Sequence, residues 1–170
     1  MRGLALFTVL VLACLLRMLP AVYEGAPFST DTWPIMAVAD RIVKYSPHPL
    51  DQPPVSDGYN VYWPASALFS AVACVLTGLN PLRATPLLVP LASSTSALLL
   101  YVLAAKTAGR RVGLIAALLL SASGLSLLMT AAATKEAYAL PLLLTVILLA
   151  LESRSVTVSY THLTLPTTER

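Results

Sequence analysis

Two long stretches without a charged side chain constrain this sequence more than any other feature. No Asp, Glu, Lys or Arg falls between Arg83 and Lys106 or between Arg111 and Lys135, and these gaps hold 22 residues (84–105) and 23 residues (112–134). About 20 apolar residues in a helix cross the hydrocarbon core of a bilayer. The chain is 57% hydrophobic and 11% charged, whereas soluble domains carry about 25% charged residues. The sequence therefore predicts an all-α integral membrane protein.

Hydropathy and charge together predict a multi-pass topology. The predicted membrane-spanning helices cover residues 3–22, 82–105, 112–132 and 134–151. The short loop 106–111 is basic, so the positive-inside rule places it in the cytosol. The first helix could also be a signal peptide, but no small-x-small cleavage site follows it, which favours an uncleaved helix. Arg17 falls in its last turns, and we expect it to snorkel to the outer interface.

The segment from residue 23 to residue 81 is predicted to be an outer loop that is acidic in its first part. It contains six prolines before residue 61, and the later ones exclude a continuous helix there. A short helix is predicted from Trp33 to Tyr45, with Asp31 or Thr32 as its N-cap. On its surface Asp40 and Lys44 are four residues apart and are predicted to pair.

The apolar stretch 61–79 could either span the membrane or lie along its outer interface. If it spanned, the basic loop 106–111 would fall on the outside, against the positive-inside rule. The stretch also separates a bulky apolar face from a face of small and polar residues, as interfacial helices do. We therefore expect a juxtamembrane helix over 62–79.

Other residues of the chain disfavour a nucleic-acid partner, a disulfide and a histidine metal site. The basic residues form no stripe, so no nucleic-acid partner is expected. Cys14 and Cys74 lie in apolar segments and are interpreted as packing residues, and His48 and His162 lack metal-ligand spacing.

The Thr-rich end, residues 155–170, resembles translated sequencing adapter and is predicted to be non-native. A disordered cytosolic tail is the alternative, and either interpretation excludes it from the fold.

Four charged residues on the predicted outer side could carry chemistry, and one of them, Asp40, is already assigned to the pair with Lys44. Asp31 lies just beyond the first span, in the stretch Pro27-Phe28-Ser29-Thr30-Asp31-Thr32-Trp33-Pro34, and Lys135 and Glu136 interrupt a long apolar run. Asp31 could simply cap a helix, and Lys135 with Glu136 could simply form a polar turn. Together they could instead present a carboxylate and a cation to a lipid-linked phosphate.

The order of these features is similar to the N-terminal part of membrane glycosyltransferases with the GT-C fold. That superfamily includes protein O-mannosyltransferases, oligosaccharyltransferase catalytic subunits and aminoarabinose transferases of lipid A. The resemblance covers about residues 1–154 and is carried by Phe28-Ser29-Thr30-Asp31-Thr32-Trp33, Tyr59-Asn60-Val61-Tyr62-Trp63-Pro64, the basic turn 105–114 and Thr134-Lys135-Glu136-Ala137-Tyr138. Family members have an essential acidic residue early in the first outer loop and many more spans, so the resemblance implies an N-terminal fragment with a partial GT-C fold.

The resemblance implies an enzyme that transfers a sugar from a polyprenyl-phosphate donor to a protein or lipid-glycan acceptor. The active face would be on the extracytoplasmic side of the cell membrane, in contact with membrane lipid. Asp31 would be the general base of an inverting reaction. Lys135, Glu136 and Arg17 would bind the substrate, with Lys135 neutralising the leaving phosphate. A divalent metal, Mg²⁺ or Mn²⁺, could be held by Asp31 and Glu136.

The rival interpretation is a non-enzymatic membrane protein, either a polytopic assembly subunit or part of a transporter. Transporters place charged residues near the middle of the membrane and break their helices there. The charges of this chain fall at predicted helix ends, which disfavours transport.

Overall fold

The computed structural model describes residues 2–25, 27, 29–45 and 64–163, and the regular structure in these ranges is entirely α-helical. The helices are α1 (Arg2–Glu24), α2 (Thr32–Lys44), α3 (Ala65–Thr77), α4 (Pro81–Ala108), α5 (Arg110–Ala122), α6 (Gly124–Ala131) and α7 (Lys135–Leu163). The predicted all-α class is confirmed. Phe28 and the Tyr59–Trp63 motif lie outside the described residues.

Three of these helices are long and apolar enough to cross a membrane. They are α1 from Gly3, α4, and the Lys135–Ser153 part of α7, which agrees with three of the predicted spans. The consecutive helices α5 and α6 would add a fourth crossing if the bent pair counts as one span.

The predicted third span, 112–132, is wrong as a continuous helix. It is divided at Ser123, whose backbone is extended, and the axes of α5 and α6 differ by 61°. A Ser–Gly pair, Ser123-Gly124, stands at the break, and such pairs are a common cause of sharp helix kinks. Hydropathy does not reveal the break because the segments on both sides of it are apolar.

The predicted fourth span, 134–151, corresponds to the apolar part of α7, Lys135–Ser153. The α7 backbone continues to Leu163, so the prediction that the chain leaves the fold at residue 155 is wrong for residues 155–163. A helical backbone satisfies its own hydrogen bonds and therefore does not need to end where the apolar side chains end.

Small residues line the contacts between the long helices. α4 lies at the centre, against α1, α3, α5 and α7. Its buried residues are almost all small, namely Ala84, Thr85, Pro86, Val89, Pro90, Ser93, Ser94, Ser96 and Ala97. Large apolar side chains such as Leu4, Phe7, Leu119 and Leu142 are instead exposed. This distribution is typical of membrane helices, which pack closely through small residues and turn bulky ones toward lipid.

The contact between α4 and α5 depends on a glycine. A Cβ added at Gly113 would lie 2.8 Å from the carbonyl oxygen of Tyr101 and 3.0 Å from the Cβ of Ala105. No side chain fits in that space, so Gly113 sets the distance between the two helices.

The predicted helix in the outer loop is confirmed as α2. It packs against α3 through Ile35, Val38 and Ala39. The predicted pair is present on its surface, with the Lys44 ammonium 2.6 Å from the Asp40 carboxylate. That carboxylate raises the pKa of the Lys44 side chain.

The predicted juxtamembrane segment forms α3, which is too short to cross a bilayer. Its 13 residues extend over roughly 20 Å, against about 30 Å of hydrocarbon. The small residues Ser66, Ser70 and Ala73 are buried, whereas the bulky face is exposed. The position of α3 at the outer interface stays a prediction.

Candidate functional site

Asp31 stands at the head of α2 and does not act as a helix cap. Its side chain makes no capping hydrogen bond. Its backbone is helical (φ −68°, ψ −17°), whereas the backbone of an N-cap residue is typically extended. The Asp31 backbone N–H donates to the Ser29 hydroxyl at 3.3 Å. The side chain is exposed. The carboxylate is therefore available to a ligand.

The next residue, Thr32, connects this segment to a distant part of the chain. It is fully buried, and its hydroxyl donates a hydrogen bond to the carbonyl oxygen of Ala132. Sequence reasoning identified Thr32 only as a possible cap. Nothing in the sequence marks its partner, because the two residues are 100 positions apart.

Ala132 belongs to a tight, buried turn between α6 and α7. Ala133 has φ 53° and is the one non-glycine residue in the described ranges with positive φ. The Thr134 hydroxyl donates to the carbonyl oxygen of Met129 at 2.7 Å. A left-handed residue other than glycine costs of order 1–2 kcal/mol, so packing against α2 and α4 must hold the turn. Immediately after it, Lys135 and Glu136 begin α7 with exposed side chains.

The contact between Thr32 and Ala132 brings the predicted site segments to one end of the helices. Asp31 precedes Thr32, and Lys135 follows Ala132 by three residues. The same end holds the start of α4, because a cavity of about 420 Å³ is lined by residues of α2 together with Asn80 and Pro81.

The basic residues lie at the other end. α4 has 28 residues, or roughly 42 Å, and near its far end Lys106 forms an ion pair with Glu152 of α7. Arg110 and Arg111 follow at that end. The structure thus places Asp31 and the Lys135-Glu136 turn opposite the basic loop, as predicted. Which end faces the outside stays a prediction.

Arg17 is buried inside the helix bundle, and the expectation that it snorkels to the interface is wrong. Its side chain has 0% exposure. Its Nη1 donates to the carbonyl oxygen of Ala13 at 3.1 Å. Its Nη2 donates to the carbonyl oxygen of Leu120 at 3.4 Å and to the hydroxyl of Ser126 at 3.3 Å. These last two acceptors, Leu120 and Ser126, lie on either side of the break between α5 and α6.

The surroundings of Arg17 are polar but hold no counter-ion among the described residues, and its Nε has no hydrogen-bond partner there. An arginine at the middle of a membrane helix costs about 2.5–3.5 kcal/mol on insertion scales. The carbonyls of the last turn of α5, which include that of Leu120, lack partners within the helix and attract a cation. The broken span therefore stabilises Arg17, and Arg17 stabilises the break.

A mostly apolar groove of about 600 Å³ lies between the end of α5, α6 and the start of α7. Its lining includes Leu120 and Ser126, which bind Arg17, and Glu136. Glu136 therefore borders this groove, while Asp31 is absent from its lining.

The predicted metal ligands do not make a metal centre by themselves. In the described ranges, no group of three or more His, Cys, Asp or Glu side chains comes together. Mg²⁺ keeps several waters and is often held by one or two carboxylates together with substrate phosphates, so a divalent metal at Asp31 and Glu136 stays a prediction.

Comparison of the chain with protein-family models, with curated proteins and with solved structures finds no match.

Proposed function

We propose that this chain is the site-bearing N-terminal part of an integral membrane glycosyltransferase of the GT-C class. The enzyme moves a sugar from a polyprenyl-phosphate donor to a protein or lipid-glycan acceptor on the extracytoplasmic side. One observation carries the proposal: the hydrogen bond from Thr32 to Ala132 holds the exposed Asp31 segment against the turn that presents Lys135 and Glu136.

The proposed reaction needs a base for the acceptor and a cation for the leaving group. Asp31 takes the proton of the acceptor hydroxyl or amide as the acceptor attacks the anomeric carbon of the sugar. The bond from that carbon to the phosphate oxygen breaks, and its electron pair leaves with the phosphate. The ammonium of Lys135 offsets the charge that develops there. Attack opposite the leaving group inverts the anomeric centre.

The test compares two aspartates on the same helix segment. In the protein encoded by the complete reading frame, Asp31→Asn should lower the rate of sugar transfer by about 10²–10⁴-fold, the usual contribution of a general base. Asp40→Asn is the matched control, because Asp40 is already paired with Lys44, and it should stay within about threefold of the parent. Transfer by Asp31→Asn within a few-fold of the parent would exclude Asp31 as the base.

Transport is a second candidate, and the structure supports it more than the sequence does. Buried charges and a broken span mark substrate pathways in transporters, and here Arg17 lies beside the break at Ser123. Arg17 is therefore an exception to the prediction that the charges of this chain fall at helix ends. A transporter would lose anion flux in proteoliposomes on Arg17→Met and keep it on Asp31→Asn, whereas the proposed enzyme would lose sugar transfer on Asp31→Asn.

A further inference from the structure

We propose that Arg17 is a positioning residue that fixes the bend between α5 and α6 and thereby holds the Asp31 segment beside the Lys135-Glu136 turn. Its effect on catalysis rests on the proposed function. Its effect on the geometry of the turn does not, and the two can be measured separately.

The guanidinium of Arg17 connects three helices. Nη1 is anchored on the carbonyl oxygen of Ala13 in α1 at 3.1 Å. Nη2 bridges the break, with Leu120 of α5 at 3.4 Å and Ser126 of α6 at 3.3 Å. Because the guanidinium is planar and its donors are fixed relative to one another, these contacts define the angle between α5 and α6.

The bend between α5 and α6 is connected to the candidate site through the short helix α6. α6 has only eight residues, or roughly 12 Å, and it ends at Ala131. The carbonyl oxygen of the following residue, Ala132, accepts the hydrogen bond of Thr32. A change in the angle at Ser123 therefore moves Ala132 and pulls on the residue next to Asp31.

The positioning role of Arg17 differs from the phosphate-binding role that the family resemblance implies for it. Both Nη atoms already donate to the protein, and the side chain has 0% exposure. The side chain of Lys135 is exposed at the turn itself. Lys135 is therefore the residue that binds the phosphate, and Arg17 acts on the site through α6.

The geometric test uses a cysteine at position 133, in a background where Cys14 and Cys74 are replaced by alanine. Ala133 is 1% exposed, so Ala133→Cys should react slowly with a membrane-impermeant maleimide. Arg17→Met should raise the labelling rate at least about tenfold, because the turn opens more often when the bend is free. Leu19→Met is the control, since Leu19 is a lipid-facing residue of the same helix with 60% exposure, and it should leave the rate unchanged.

A milder variant covers the case in which Arg17→Met fails to fold. Ser126→Ala removes only one acceptor of Arg17 and should raise the labelling rate about two- to fivefold. An unchanged labelling rate in Ser126→Ala, or in a folded Arg17→Met protein, would overturn the inference.

The kinetic test distinguishes positioning from phosphate binding. A positioning residue lowers kcat and leaves the KM for the polyprenyl-phosphate donor unchanged, and Arg17→Lys does not restore kcat because a single ammonium cannot reproduce the fork. A raised KM that Arg17→Lys restores would overturn the inference. If the parent protein transfers no sugar while labelling at position 133 still responds to Arg17, the proposed function fails and the positioning of the turn stands.

Discussion

The hydroxyl of Thr32 donates a hydrogen bond to the main-chain carbonyl oxygen of Ala132, 100 residues further along the chain. Thr32 is fully buried, and Ala132 lies in the turn that leads into α7. This one contact joins the head of α2 to the turn before Lys135. The arrangement of the candidate site therefore depends on a residue that carries no charge and takes no part in the proposed chemistry.

Thr32→Val should destabilise the protein and disorder the site together. Valine has nearly the same shape but leaves the carbonyl oxygen of Ala132 without its donor, at a cost of about 1–3 kcal/mol. Thr32→Ser retains the hydroxyl and should keep most of the stability. Unfolding in mixed detergent, followed by circular dichroism, measures the difference. Equal stability of the valine and serine variants would show that the hydrogen bond contributes little.

Lys135→Ala should change the kinetic parameters for the sugar donor more than those for the acceptor. Because the Lys135 ammonium offsets the charge that develops on the leaving phosphate, its loss should lower kcat/KM for the polyprenyl-phosphate donor by about 10–100-fold. The KM for the acceptor should stay within about twofold. Steady-state kinetics with each substrate varied in turn measures both, and a change confined to the acceptor would contradict the assignment.

Gly113→Ala should weaken the contact between α4 and α5. The added methyl group would lie 2.8 Å from the Tyr101 carbonyl oxygen, which is main chain and cannot move aside. We expect a loss of about 1–3 kcal/mol in the free energy of unfolding. Gly3→Ala is the control, because a Cβ at Gly3 meets no atom within 4 Å. Similar stabilities of the two variants would show that α4 and α5 can move apart to accommodate the methyl group without a loss of folding free energy.

Cysteines at positions 30 and 110 should be labelled from opposite sides of the membrane. Thr30 and Arg110 are both exposed, and they lie at opposite ends of the helices. In a background without Cys14 and Cys74, an impermeant maleimide should reach position 30 in intact cells and position 110 only after permeabilisation. Labelling of both positions from one side would exclude the predicted topology.

Local patterns in the sequence predicted the helices well, because helical periodicity and charge-free length are properties of neighbouring residues. α2 begins within one residue of its predicted start, and the Asp40–Lys44 pair forms as its four-residue spacing requires. The bend at Ser123 was not predicted, because hydropathy averaged over a long window does not change when a single residue is extended.

The candidate site was predictable only in part. Asp31, Lys135 and Glu136 were identified as charges in unusual places, and the structure brings their two segments together through Thr32 and Ala132. The role of Arg17 could not be inferred, since its acceptors, Leu120 and Ser126, are 103 and 109 residues away. Contacts of that separation follow from packing and leave no local signature.

The buried guanidinium of Arg17 has a consequence for how the chain is made. During synthesis α1 leaves the ribosome more than one hundred residues before Ser126 exists, so Arg17 enters the bilayer ahead of the groups that will receive it. Until α5 and α6 arrive, α1 carries an uncompensated cation and is a poor independent membrane anchor. Biogenesis of this protein should therefore keep the first helix close to the insertion machinery until the later helices emerge and release it.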